Sequence, residues 1–309
     1  MRILVLGSAA GGGFPQWNCN CDNCRRARRG DVLTRPRTQS SLAVSADGER
    51  WLLLNASPDL RQQIAENPPL HPQGGRRHSP IAGVMLTNGD VDHVAGLLSL
   101  RESQRFAVYA SARIHEVLRG NSIFNVLNGD LVARREMALS VPVAIESADG
   151  DSLGLVVEAY PVPGKTALYL ENAAAGPGFG TQVGDTIGLR VGEAATGKSF
   201  HYVPGCAALS PALADRLRCA ALLFFDGTLW RDDEMIVADV GSKTGRRMGH
   251  MSLSGPEGSL AALAGLGIAR RVFIHVNNTN PVLIEDSPER RAAEAAGWEV
   301  AHDGMEIAL

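Results

Sequence analysis

Apolar residues fall along this chain in short runs, each closed by turn formers. Residues 2–6 predict a buried strand, because consecutive branched or large apolar side chains run into a Gly-rich stretch. Residues 40–45 and 50–54 predict a hairpin turning at Asp47-Gly48. Ser57-Pro58-Asp59 then opens a helix to about Glu66, with Ser57 as N-cap and Pro58 at the first helical position. Residues 67–80, rich in Pro, Gly and His, read as a loop. A second buried strand over 81–86 runs into Thr87-Asn88-Gly89-Asp90-Val91-Asp92-His93, followed by a helix over 94–103.

Further strands are predicted at 107–109, 141–145, 153–160, 185–191 and 199–203, and helices at 112–119 and 211–217. The apolar run 220–225 ends at Asp226-Gly227-Thr228, and 271–274 delivers His275-Val276-Asn277-Asn278-Thr279-Asn280-Pro281. The tail predicts a helix over 288–296 and a closing hairpin of 298–301 with 305–309. No repeat or low-complexity linker interrupts the pattern, so residues 1–309 read as one domain. Strands in both halves with helices between them predict an α/β sandwich of two sheets with outer helices, rather than one doubly wound parallel sheet.

Composition narrows the function. The 309 residues carry 30 Lys+Arg against 33 Asp+Glu, a formal charge of -3, which argues against a nucleic-acid partner bound over the whole surface. Arg25, Arg26, Arg28, Arg29, Arg35 and Arg37 form a local exception that reads as a solvated face, or as an anchor for an acidic substrate. The opening MRILVLGSAAGGG is too short for a signal h-region, and no run nears the roughly 18 apolar residues of a membrane span. A cytoplasmic protein with no membrane insertion is therefore expected. Five Cys, an odd number, favour reduced thiols or metal ligands over a disulfide framework.

Three of those thiols lie in Cys19-Asn20-Cys21-Asp22-Asn23-Cys24, an otherwise polar stretch where core packing is a poor explanation. Two residues between Cys21 and Cys24 let one turn present both sulfurs, the arrangement of a structural Zn²⁺ site. The fourth ligand must come from elsewhere; His275, Asn278, His78 and His71 are the candidates. The zinc loop is placed at about residues 11–37, tying the N-terminal region to the body.

Asp90-Val91-Asp92-His93 reads on its own as a helix cap as readily as a site. Its company raises the functional reading: Asp226, His250 and His275 also stand where strands give way to loops. Gly7-Ser8-Ala9-Ala10-Gly11-Gly12-Gly13 lacks dinucleotide-loop spacing and reads as a tight turn near the metal sites. His115, His201, Cys206, Cys219 and His302 are isolated and read as packing residues.

Taken together, GSAAGGGFPQWNCNCDNC, TNGDVDHVAGLLSLRE, FFDGT, MGHMSLSG and FIHVNNTNP resemble, over essentially the whole chain, the metallo-β-lactamase superfamily and within it the pyrroloquinoline quinone (PQQ) biosynthesis B family. The resemblance implies an αββα four-layer sandwich of two mixed sheets. It also implies metal ligands at Asp92, His93, Asp226 and His275. The first two His of the superfamily's H-x-H-x-D-H motif are replaced here by Asn88 and Asp90, and Tyr160 to Gly164 offers no middle His. One metal pocket has thus lost its imidazoles. The remaining two His and one carboxylate resemble a non-haem Fe²⁺ set, which argues against hydrolysis by two metals.

His250 matches the proton-donating His of hydrolytic relatives and is expected, with Asp90, to serve catalysis. The implied activity is iron- and O₂-dependent hydroxylation of the Tyr-derived ring in a Glu–Tyr cross-linked PQQ precursor. Arg25 or Arg37 would pair with the precursor's carboxylates. The family's other reading is a carrier that moves PQQ or its precursor to the periplasm. The resemblance leaves a homodimer open.

Overall fold

The structure is a computed structural model that describes residues 1–176 and 178–309. Its strands form two seven-stranded sheets among the described residues. The first contains β1 Arg2–Gly7, β2 Ser41–Ser45, β3 Trp51–Leu54, β4 Ile81–Met85, β5 Phe106–Ala110 and β6 Val132–Glu136. The second contains β7 Pro142–Glu146, β8 Ser152–Pro161, β9 Ile187–Glu193, β10 Ser199–Val203, β11 Leu222–Asp226, β12 Arg270–Ile274 and β13 Trp298–Val300. The last strand, β14 Glu306–Ala308, returns to the first sheet beside β1.

Both sheets are mixed in the same way. Strands β14-β1-β2-β3 and β7-β8-β9-β10 pair antiparallel, and the pairs beyond them, out to β6 and β13, are parallel. This is the expected two-sheet α/β sandwich. Strand periodicity explains how it packs. On β11, Leu222 and Phe224 join the core between the sheets, while Leu223 and Phe225 join a second core that includes the helix residues Leu213 and Ala293. Strands buried on both faces read as continuous apolar runs.

Several expectations are corrected. The closing hairpin does not form: Trp298–Val300 pairs parallel with β12 and Glu306–Ala308 antiparallel with β1, so the chain crosses from one sheet to the other between them. The helix expected from Ser57 is Leu60–Glu66 with Asp59 at its N-cap, because the Ser57 hydroxyl bonds Gln63 instead. The helix after His93 shrinks to Val91–Val94 and a 3₁₀ stretch, Ala95–Leu100. Gly96 packs there directly on the Ser57 carbonyl, where a Cβ would stand at 2.2 Å. Strand β6 went unpredicted because its sequence, VARRE, is polar, as suits a sheet edge. Among the described residues no helix is long and apolar enough to cross a membrane.

Candidate metal centre

Strand ends build the site. Strand β4, from the first sheet, runs into Thr87–His93, and β11 and β12, from the second, end at Asp226 and just before His275. Parallel register pairs Asp226 with Ile274, which sets His275 next to the Asp226 carboxylate. His275 takes φ of 60°, a left-handed conformation that costs a non-Gly residue about 1–3 kcal/mol. Its ring is held by what surrounds it.

Asp92, His93 and His275 bring one ligand atom each within 4.8 Å of one another, and so do Asp226, His250 and His275. The hydrogen bonds assign the tautomers. His93 Nδ1 donates to Asn88 Oδ1 at 2.8 Å, and the Thr228 hydroxyl donates to Asp226 at 2.6 Å while accepting from His275 Nδ1 at 2.9 Å. Both imidazoles therefore turn Nε2 toward Asp92, whose Oδ2 lies 3.0 Å from His275 Nε2 and 3.8 Å from His93 Nε2. His93 Nε2 is buried without a partner. Three lone-pair donors facing one point suit a cation, with the outer partners Asn88 and Thr228 orienting the rings.

Electrostatics agree with the geometry. Burial pulls His93 down to about 4, so its ring stays neutral at pH 7. Burial would raise Asp92, but His93 and the His275 hydrogen bond outweigh it and hold the carboxylate ionised. Burial opposes a proton on His275, and the hydrogen bond to Asp92 outweighs it and raises the ring above its ordinary value. Burial raises Asp90, with Lys165 opposing.

Asp226, expected as a metal ligand, also accepts from four protein donors. Its oxygens accept from His250 Nδ1 at 2.7 Å, Cys206 N at 2.8 Å, and the Thr228 N and hydroxyl at 3.0 and 2.6 Å. The bond at Nδ1 fixes His250, whose ring stacks 5.2 Å from His275, and Asp226, His250 and His275 remain one of the two candidate metal-holding groups. Cys206, read as packing, thus supplies a backbone donor to this network. Asp90 Oδ1 accepts from Leu168 N at 3.1 Å. The Gly-rich turn lies beside the cluster, with a Cβ on Gly11 placed 3.4 Å from Asp92 Oδ2.

The second cluster is the Cys loop. Cys21 caps the helix Asp22–Arg28 and Cys24 lies on it, and the three sulfurs fall within 4.8 Å. The Asn278 side-chain amide stands 3.1, 3.6 and 3.4 Å from Cys19, Cys21 and Cys24. Asn23 Nδ2 holds the carbonyls of Asn278, Thr279 and Asn280. Of the candidate fourth ligands, His71 bonds Ala65 and His78 bonds Gln73, and His275 belongs to the other cluster. The hydrogen bond from Cys21 holds the Cys24 thiol down to about 7.

The arginines expected to meet a substrate do not stand free at the site. Arg37 is buried and donates to the Ala301 carbonyl, and Arg25 pairs with exposed Asp22. A cavity of about 530 Å³ lined by Tyr160, Gly164, Gln182 and Arg216 contains none of the clustered residues. Sequence reading missed Thr228. The Thr228 hydroxyl acquires its role from positions 226, 250 and 275, which only the fold brings together.

The β-lactamase superfamily domain model matches residues 50–276. The chain is 53% identical over 311 residues to the coenzyme PQQ synthesis protein B of Bradyrhizobium diazoefficiens, with 100% of both chains covered. It is 55% identical over 310 residues to that of Rhodopseudomonas palustris, again over 100% of both. The Zn²⁺-bound crystal structure of PqqB from Methylobacterium extorquens matches with a TM-score of 0.92 at 53% identity, covering 100% of each chain. A diphosphatase of the PhnP family, at 21% identity and a TM-score of 0.68 over 99% of this chain and 97% of its own, shares the fold.

Proposed function

Because the chain belongs to the coenzyme PQQ synthesis protein B family of the β-lactamase superfamily, we propose that it serves PQQ biosynthesis as a mononuclear iron oxygenase. Its substrate is the Glu–Tyr cross-linked, peptide-derived precursor, and its reaction adds one oxygen atom of O₂ to the Tyr-derived ring while the other leaves as water, with two electrons from an external reductant or from a catechol ring that becomes the quinone. One observation carries this reading: Asp92 Oδ2, His93 Nε2 and His275 Nε2 converge, with both Nδ1 atoms engaged elsewhere. Two imidazoles and one carboxylate are the donor set of Fe²⁺ oxygenases. A ferrous ion held by Asp92, His93 and His275 would supply the dioxygen chemistry.

The protein's own groups supply orientation and proton handling. Asn88, standing where hydrolytic relatives place a His ligand, fixes the His93 ring. Thr228 fixes His275 and Asp226 fixes His250. His250 Nε2 is the free nitrogen of the pair, so it is the group that takes the proton from a ring hydroxyl and returns it. Asp90 binds the backbone of Leu168 and so positions the segment beyond Lys165. Cys19, Cys21 and Cys24 hold a structural zinc with Asn278 as fourth ligand, since rotating its amide by half a turn points the oxygen at the three sulfurs.

The test is aerobic incubation of the Fe²⁺-loaded protein with a Tyr- or dihydroxyphenylalanine-type analogue under labelled dioxygen. Label is expected in the product, and both Asp92→Ala and His93→Ala should abolish it. Undiminished labelling in both variants defeats the proposal.

A further inference from the structure

Lys165 is a cation with spare donors at the rim of the metal site. Its side chain runs across Gly249, where a Cβ would lie 2.9 Å from Lys165 Cγ, and this sets it beside His250. Its ammonium makes one close bond, to the Thr166 carbonyl at 3.1 Å. The two nearest carboxylates are looser, Glu171 at 3.5 Å and Asp90 at 3.9 Å. An ammonium carries three donors, so two are not well used.

Both acids have closer partners than Lys165. Glu171 is held by the Arg247 fork at 3.0 and 2.6 Å, and that hydrogen bonding keeps its carboxyl down at about 2. Arg247 is itself stacked 3.7 Å from the Phe179 ring. Asp90 has the Leu168 amide. Next along the chain, Tyr169 donates to the Gly89 carbonyl at 2.6 Å, so the segment is fastened to the stretch that leads into the helix bearing Asp92 and His93. It nevertheless leaves Leu168, Tyr169 and Leu170 exposed. A half-satisfied cation beside exposed apolar side chains, next to a metal-binding loop, matches an aromatic amino acid: carboxylate at one end, ring in the middle, ring hydroxyl toward the metal ligands.

We infer that Lys165 is the residue that binds a substrate carboxylate, donating from Nζ to its oxygens and leaving Glu171 to Arg247. The inference rests on the reading of the cluster as a site for phenolic or catecholic rings, and its test separates the two. Binding of L-3,4-dihydroxyphenylalanine and of dopamine, which lacks only the carboxylate, is measured by calorimetry on zinc-loaded protein, where no turnover intervenes. Lys165→Met is expected to weaken the amino acid about tenfold or more, the scale of one charged hydrogen bond, while leaving dopamine unchanged. Lys165→Arg should recover most of the loss. Equal weakening of both compounds, or of neither, overturns the anchor alone. Failure of the wild-type protein to bind either compound overturns the ring-site reading beneath it.

Discussion

Asp92 and His275 stand 183 positions apart in the chain, one following a strand of each sheet, and their side chains meet at 3.0 Å. The sandwich is therefore the device that assembles the ligand set, and residues that hold the rings should govern metal affinity as the ligands do.

Thr228→Val removes the hydroxyl that accepts from His275 Nδ1 and donates to Asp226. Metal affinity of the Asp92 site should fall about 10- to 100-fold, the usual cost of losing an orienting partner. Asn88→Ala should act similarly through His93. Competition with a chelator of known affinity measures both, and unchanged affinity in both variants contradicts the orienting role.

Removing the Cys-held zinc should loosen more than its own loop, because residues 275–280 carry His275 at one end and contact the sulfurs through Asn278. Cys24→Ser is expected to lose one zinc per chain. A structural zinc contributes several kcal/mol, and each kcal/mol shifts Tm by about 2–4 °C in a chain of this size class. A thermal melt with matched metal analysis checks this; loss of zinc with no change in Tm contradicts the structural assignment.

Glu234 supplies a pH dependence. Burial raises its carboxyl to about 7, against hydrogen bonds from Thr279 and the Trp230 amide. Between its ordinary value of 4.5 and about 7 the folded protein binds a proton that the unfolded chain has released. This contribution to stability is therefore greatest at low pH, declines as pH rises through that window, and is flat above it, by on the order of 1–3 kcal/mol. Glu234→Gln should flatten the slope, raising Tm at pH 8 relative to the parent more than at pH 5. An unaltered slope contradicts the burial argument.

What the sequence made legible follows from local pattern. Apolar runs located most strands, and polar strand ends marked Asp92, His93, Asp226 and His275 before any contact was known. Partnership was not legible: 298–300 and 306–308 look like one hairpin because periodicity identifies a strand without naming its neighbour. The Ser57 cap failed for a related reason, since Gln63 competes for the same hydroxyl. Lys165 gave no signal at all. It sits alone in an irregular stretch, and only the bare Gly249 surface gives it a place beside His250.

Metal analysis of anaerobically purified protein is the most direct measurement. One iron and one zinc per chain are expected, with iron lost and zinc kept in His93→Ala, and zinc lost in Cys24→Ser. Two metals in addition to the Cys-bound zinc, or full iron retention after His93→Ala, would contradict a single ferrous ion held by Asp92, His93 and His275.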